Sequence, residues 1–281
     1  MLGKIMRRNK TFLFVPGDSG RKIESARGIN GGAVILDLED GVAEGQKKLA
    51  LQNVQTVAST ITNAELWVRL NQIPRAEEEF EQLKDQENIK GFWIPKAEPA
   101  SCKNLISKIS KQGKKVGVLI ETAKGYIQRN ELLGIEGVTH VQLGQYDLAG
   151  DLGIQLESVV TKTAIAYIRL EITIAAKANN LEGIVGPVSA NFRDLNEFAD
   201  SCGELADLGY DARACIHPDQ LSIADKAFTP SEDQVDWAKG ILERFEKQTS
   251  LGSGAYVEED GSMADAATVR TARSILDRAA D

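Results

Sequence analysis

Short apolar runs rich in β-branched and aromatic residues recur along the chain, separated by longer stretches with apolar positions every three to four residues. The runs are Thr11–Pro16, Ala33–Leu38, Leu66–Leu70, Gly91–Pro95, Val116–Ile120, Val138–Leu143, Gly183–Val188 and Ala212–Ile216. Their length and composition predict strands covered on both faces. Between them the periodicity predicts helices at about Arg21–Arg27, Gln46–Ser59, Arg75–Lys84, Ser101–Gln112, Tyr126–Leu133, Ser158–Asn179 and Asp194–Leu208, with an eighth at Asp233–Gln248. Strands alternating with helices build βαβ units and a parallel sheet. Eight units without a Gly/Ser linker predict a (β/α)8 TIM barrel over residues 1–248. An open doubly wound sheet is the alternative.

Beyond the eighth helix lies Thr249–Met263, rich in glycine and polar residues, then an amphipathic helix over Ala264–Ala280. Residues 249–281 therefore read as a C-terminal helical extension, expected to pack under the barrel or on a neighbouring subunit.

Composition narrows the function. Acidic residues outnumber basic ones, 41 to 33, for a net charge of −8. That argues against nucleic acid or an anionic membrane as partner. The apolar runs are far shorter than the ~20 residues of a membrane helix. The basic segment Met1–Lys10 leads into Thr11–Pro16, too short for a signal-peptide core. Cys102, Cys202 and Cys215 lie far apart, which fits idle thiols in a reducing cytoplasm. With only two histidines, chemistry falls to carboxylates, arginine and lysine.

Active sites of TIM barrels form at the C-terminal ends of the strands, and charged residues gather there. Asp37 and Glu39 close the second run, Arg69 the third, Lys96 the fourth and Glu121 the fifth; Asp147 follows the sixth. Carboxylates at about 4 Å repel by roughly 4 kcal/mol at an effective dielectric near 20, so cations or protons must sit among them. Oxygen ligands without convergent His or Cys suit Mg²⁺. Glu121 and Asp147 are the expected ligands, with Asp37 and Glu39 holding metal-bound water from behind. Strand-end acids also serve as salt-bridge partners or helix caps, so that reading stays beside the metal reading. Arg69 is suited to stabilising an oxyanion. Lys96 is expected beside Asp37 and Glu39 behind the metal ligands; its competing role as a Schiff-base lysine is disfavoured by the surrounding carboxylates. Arg21 and Lys22, in Gly17-Asp18-Ser19-Gly20-Arg21-Lys22, open a helix where a phosphate or an ordinary capped turn fits. His140 reads as structural, and His217 as a residue of the mouth.

Taken together, these residues resemble the citrate lyase β-subunit-like members of the HpcH/HpaI aldolases, relatives of the malyl-CoA and citramalyl-CoA lyases. The resemblance runs from Phe12-Leu13-Phe14-Val15-Pro16-Gly17 to the last helix. Its pieces are Leu36-Asp37-Leu38-Glu39-Asp40, Val68-Arg69-Leu70-Asn71, Ile94-Pro95-Lys96, Ile120-Glu121-Thr122-Ala123, Leu143-Gly144-Gln145-Tyr146-Asp147-Leu148, Asp151-Leu152-Gly153, Ile216-His217-Pro218 and Gly261-Ser262-Met263-Ala264-Asp265. It implies Mg²⁺ on Glu121 and Asp147, Arg69 at the reacting oxygen, and Asp265 acting as acid across a subunit interface. A homotrimer or hexamer follows from that last point. The implied reaction cleaves a 3-hydroxyacyl-CoA to acetyl-CoA and a 2-keto acid. Two departures, Ala212-Arg213-Ala214-Cys215 and Gly186-Pro187-Val188-Ser189-Ala190-Asn191, fall where the CoA thioester is expected; Arg213 and His217 join Arg21 and Lys22 as candidate carrier-binding residues. Alternatives are a citryl-acyl-carrier-protein lyase subunit of a citrate lyase complex, a non-catalytic paralogue that binds CoA or a keto acid, and a pyruvate-type aldolase.

Overall fold

A computed structural model describes residues 9–250, 252–258 and 261–279. The basic start Met1–Arg8, parts of the glycine-rich segment and the end of the last helix, Ala280, lie outside the described residues. Eight parallel strands close into a barrel in sequence order. They are β1 (Thr11–Pro16), β2 (Ala33–Asp37), β3 (Glu65–Arg69), β4 (Ile89–Ile94), β5 (Lys115–Ile120), β6 (Val138–Leu143), β7 (Gly183–Gly186) and β8 (Ala212–Cys215). Closure pairs β8 with β1 through Ala214 and Phe12.

Side chains alternate across each strand. Val34, Leu36, Val68, Phe92, Val118 and Ile184 face outward, where the helices cover them in the larger core. Phe12, Ile35, Trp67, Trp93, Leu119 and Val185 face inward and fill the barrel. Two glycines make that filling possible. A Cβ at Gly91 would stand 2.4 Å from Trp67, and one at Gly117 2.3 Å from Trp93. His140 joins the same layer, edge-on to Trp67 at 4.9 Å, with Nδ1 2.8 Å from Thr139 Oγ1. It is a core histidine, as expected.

Three helical features differ from the periodicity reading. A helix over Gln145–Leu152 follows β6 directly, capped at its end by left-handed Gly153. The segment after β5 is two short helices, Ala123–Ile127 and Arg129–Leu133. The helix after β8 is Leu221–Phe228, too short to register as a periodic stretch.

The chain divides into two compact units, Asn9–Phe228 with the barrel and a second beginning at Thr229. The second contains helices Glu232–Ser250 and Ala266–Ala279, joined through Ala238, Ile241, Val269, Ala272 and Ile275. Glu232–Ser250, expected as the eighth barrel helix, thus belongs with the C-terminal unit, and the division falls at 228/229 instead of 248/249. Among the described residues, no helix is long and apolar enough to cross a membrane.

Candidate active site at the barrel mouth

The strands end in one acidic cluster, and its keystone is an ion pair. Arg69 closes β3 and Asp37 closes β2, in register with each other. Arg69 Nε donates to Asp37 Oδ1 at 2.6 Å and Nη2 to Oδ2 at 2.7 Å. Each Asp37 oxygen accepts a second bond, from Glu39 N and Gly41 N, both at 2.9 Å. Arg69 Nη1 lies 3.1 Å from Glu39 Oε2, and its guanidinium rests 5.0 Å from the Phe14 ring centroid. Burial alone would weaken the arginine's hold on its proton. The Asp37 bonds and the charges of Asp37, Glu39 and Glu121 outweigh it and raise its pKa.

Asp37 therefore does something other than expected. Both of its oxygens are filled by Arg69 and backbone amides, so it orients the arginine and not a shell of water.

Glu121, just past β5, is buried at 2% exposure. Its Oε1 accepts the Lys96 N–H at 2.7 Å. That bond depends on an uncommon backbone, since Lys96 has φ +43°, in the left-handed region few side-chain-bearing residues adopt. Burial, reinforced by the charges of Glu39 and Asp147, pushes the Glu121 carboxyl up to about 8. The chain must also pass close by at the end of β6. A Cβ on Gly144 would lie 2.5 Å from Glu121 Oε2.

Asp147 sits in the first turn of helix Gln145–Leu152, so helix and strand together present it. The Lys96 ammonium lies 3.4 Å from Glu39 Oε1, 3.9 Å from Asp40 and 3.7 Å from Asp147. Burial opposes its charge, but these carboxylates prevail and raise its pKa. A more firmly protonated amine is a poor nucleophile, which speaks against a Schiff base. Burial likewise raises the Glu39 carboxyl despite Arg69.

Arg69, Asp37, Glu121 and Asp147 line a cavity of about 380 Å³, together with Lys22, Phe14, Leu119, Val188 and Phe192. The donors at hand are oxygens: the carboxylates of Asp37, Glu121 and Asp147, with Gln142, Gln145 and Tyr146 beside them. Among the described residues no group of three or more His, Cys, Asp or Glu is placed to hold a metal ion. Two carboxylates, with the remaining positions left to water and substrate, match the needs of Mg²⁺. Glu121, buried and crowded by like charge, has the strongest demand for a cation.

The other predicted residues scatter. Lys22 reaches the cavity; Arg21 is exposed on the same seven-residue helix, Gly20–Ala26. His217 stacks on Phe192 at 5.2 Å, and its Nδ1 accepts the Asp219 N–H at 3.3 Å. Arg213 corrects the sequence reading. It is 2% exposed, lies over Phe198 at 5.1 Å and donates to Ser201 Oγ at 3.2 Å. Its neighbour Ala214 faces the barrel interior, so strand alternation sends Arg213 outward, beneath helix Leu195–Asp207 and away from the mouth. The three cysteines are buried and free, and burial pushes Cys102 and Cys202 up to about 11.

Asp265 belongs to the C-terminal unit. Its Oδ1 accepts Ala267 N at 2.8 Å and Thr268 N at 3.2 Å, capping helix Ala266–Ala279. Those bonds lower its pKa, the reverse of the rise that a proton donor needs.

A closed eight-stranded parallel barrel with an acidic mouth organised on a carboxylate-pinned arginine defines a TIM-barrel protein. Residues 10–218 match the HpcH/HpaI aldolase/citrate lyase family, and the chain belongs to it. It is 29% identical to a (3S)-malyl-CoA thioesterase of Cereibacter sphaeroides over 96% of this chain and 94% of that one. It is 28% identical to the mitochondrial citramalyl-CoA lyase of Homo sapiens, covering 95% and 84%. The crystal structure of CitE from Mycobacterium tuberculosis with magnesium, acetoacetate and coenzyme A superposes with a TM-score of 0.80 at 26% identity, covering 97% and 98%.

Proposed function

We propose that this chain is a Mg²⁺-dependent carbon–carbon lyase that cleaves a 3-hydroxyacyl-CoA into acetyl-CoA and a 2-keto acid. The observation that carries the reading is the Arg69 fork. It is held rigid by Asp37 and Glu39 beside the buried Glu121 carboxylate, in one cavity with Asp147. Glu121 and Asp147 would hold the ion, which supplies positive charge to the carboxylate and reacting oxygen of the keto-acid half. Arg69 keeps N–H donors on Nη1 and Nη2 beyond those spent on carboxylates. These stabilise the oxygen that becomes the keto group as its proton passes to solvent water and the carbon–carbon bond breaks. The bonding pair passes to the acetyl thioester as an enolate, which then takes a proton at carbon.

Asp265 of a neighbouring subunit is the proposed donor of that proton, in a homotrimer or hexamer whose C-terminal unit reaches the next barrel. Donation near neutral pH requires assembly to bury Asp265 and reverse the lowering seen in the single chain. Lys22 and Arg21, with His217 on its Phe192 platform, are the candidates for carrier binding.

The kinship with (3S)-malyl-CoA thioesterases supports a second reading, hydrolysis of the thioester. Incubation with malyl-, citramalyl- and citryl-CoA, with Mg²⁺ and then EDTA, separates the two. Acetyl-CoA plus keto acid in equal amounts, lost with EDTA, is the expected result. Free CoA without keto acid would establish hydrolysis. No turnover of any CoA ester, but cleavage of a citryl-acyl-carrier-protein, would make the chain a citrate lyase subunit. No turnover of either carrier would leave a non-catalytic binder.

A further inference from the structure

The helix that presents Asp147 begins without a cap of its own. Its N-cap is Gly144, which has no side chain to accept bonds from the first turn. No larger residue fits there, because a Cβ would stand 2.5 Å from Glu121 Oε2. The first turn is held from outside instead. Tyr146 Oη accepts the Ala190 N–H at 3.1 Å, from the loop after β7. Arg169, on helix Val159–Ala178, donates from Nη2 to Gln145 Oε1 at 2.7 Å. A guanidinium only donates, so the Gln145 oxygen must face it. Gln145 is 8% exposed and stands two positions before Asp147.

That bond uses an expensive group. Arg69 and Arg129 each meet a carboxylate at hydrogen-bond distance. The Arg169 side chain is 13% exposed, yet the carboxylate beside it, Glu204, lies 3.8 Å from Nη1 and is itself 69% exposed. Arg169 Nε is buried with no hydrogen-bond partner among the described residues, and burial weakens the arginine's hold on its proton. A buried cation so thinly compensated adds little stability. What the bond does supply is a fixed Gln145, and with it a fixed first turn.

We infer that Arg169 is a positioning residue for the cation: by holding Gln145 it sets the turn from which Asp147 serves as ligand. This rests on the Mg²⁺ reading of Glu121 and Asp147 and extends it to a residue outside the cavity lining.

The test is calorimetric titration of the full chain with Mg²⁺ alone, beside thermal melting in EDTA. Arg169→Met keeps much of the side chain and loses the donor. Removing a positive charge would by itself favour a cation, so a loss of affinity reports position. Mg²⁺ is expected to bind about 10-fold more weakly, as when a support behind a metal ligand is removed. Tm in EDTA should stay within about 3 °C of the parent. Gln145→Glu keeps an oxygen for Arg169 and should bind Mg²⁺ at least as tightly as the parent. Adding Arg169→Met to Gln145→Met should cost no further affinity, since the two act through one bond. Parent-like affinity in Arg169→Met, or a further loss in the double variant, overturns the inference and leaves Glu121 and Asp147 as ligands. A large fall in Tm in Arg169→Met, with Gln145→Glu losing as much affinity, would make the bond structural only and overturns it as well. A parent that takes up no Mg²⁺ overturns the metal reading, and the inference falls with it.

Discussion

Replacing Asp37 with asparagine tests whether the arginine fork is the structural centre of the site. The change is nearly isosteric, yet the hydrogen-bond pattern cannot absorb it. Each Asp37 oxygen accepts one bond from Arg69 and one from a backbone amide, at 2.6 and 2.9 Å on Oδ1 and 2.7 and 2.9 Å on Oδ2. Whichever way the amide is turned, its NH₂ faces two donors. Two bonds to a charged partner are worth about 1.5–3 kcal/mol each. Breaking a buried pair costs about 3–5 kcal/mol, and the side chains here are 11% and 4% exposed. Glu39, 3.1 Å from Nη1, keeps part of the compensation, so the lower half of that range is expected. At about 2–4 °C per kcal/mol for a chain of this size, Tm should fall by roughly 6–15 °C. The kcat/KM on the best CoA ester should fall at least about 100-fold, because the oxyanion donors lose their orientation. Calorimetry and the keto-acid assay read the two effects. Asp40→Asn, which removes the same charge from a side chain 53% exposed, should stay within about 0.5 kcal/mol of the parent. If Asp37→Asn matched that control in Tm, the account of Arg69 as a buried, fully compensated cation would be wrong.

Overpacking the barrel interior should be equally visible: Gly91→Ala drives a Cβ to 2.4 Å from Trp67, and a loss of about 1–3 kcal/mol in denaturant unfolding is expected. An unchanged midpoint would mean the tryptophan layer yields freely. Asp265→Asn keeps an oxygen for Ala267 N and Thr268 N, so it should retain the cap yet lose exchange of the acetyl protons; Asp265→Ala should lose both, with about 1 kcal/mol from the cap. Full proton exchange in Asp265→Asn would remove this residue from the reaction. Burial raises the Glu39, Glu79 and Glu121 carboxyls above their ordinary 4.5, Glu121 to about 8. Each holds a proton in the folded chain that the unfolded chain has released. In EDTA this stability is whole below about pH 4.5 and is lost as pH rises toward about 8. Melting scans should follow that fall, less steeply in Glu79→Gln, and a Tm that climbed across the window would contradict it.

Much of this protein is written in one dimension. β1 and β6 fall where the apolar runs place them, Thr11–Pro16 and Val138–Leu143, because a strand buried on both faces needs a continuous apolar run wherever it lies. The residues closing those runs, Asp37, Arg69, Lys96 and Glu121, arrive at one mouth because parallel strands in a barrel all end on the same side. Closure itself, β8 on β1, is a tertiary fact. So is the direction of each side chain. Arg213 and Ala214 are neighbours in sequence, yet one lies beneath a helix and the other inside the barrel, since a single step along a strand reverses the face. The pair of hydrogen bonds from Arg69 to Asp37 spans 32 positions, and no local pattern announces it. The short helices Gln145–Leu152 and Leu221–Phe228 escape notice because two turns carry too few apolar positions to show a period. Composition named the acids; the register of neighbouring strands decided which of them hold the arginine.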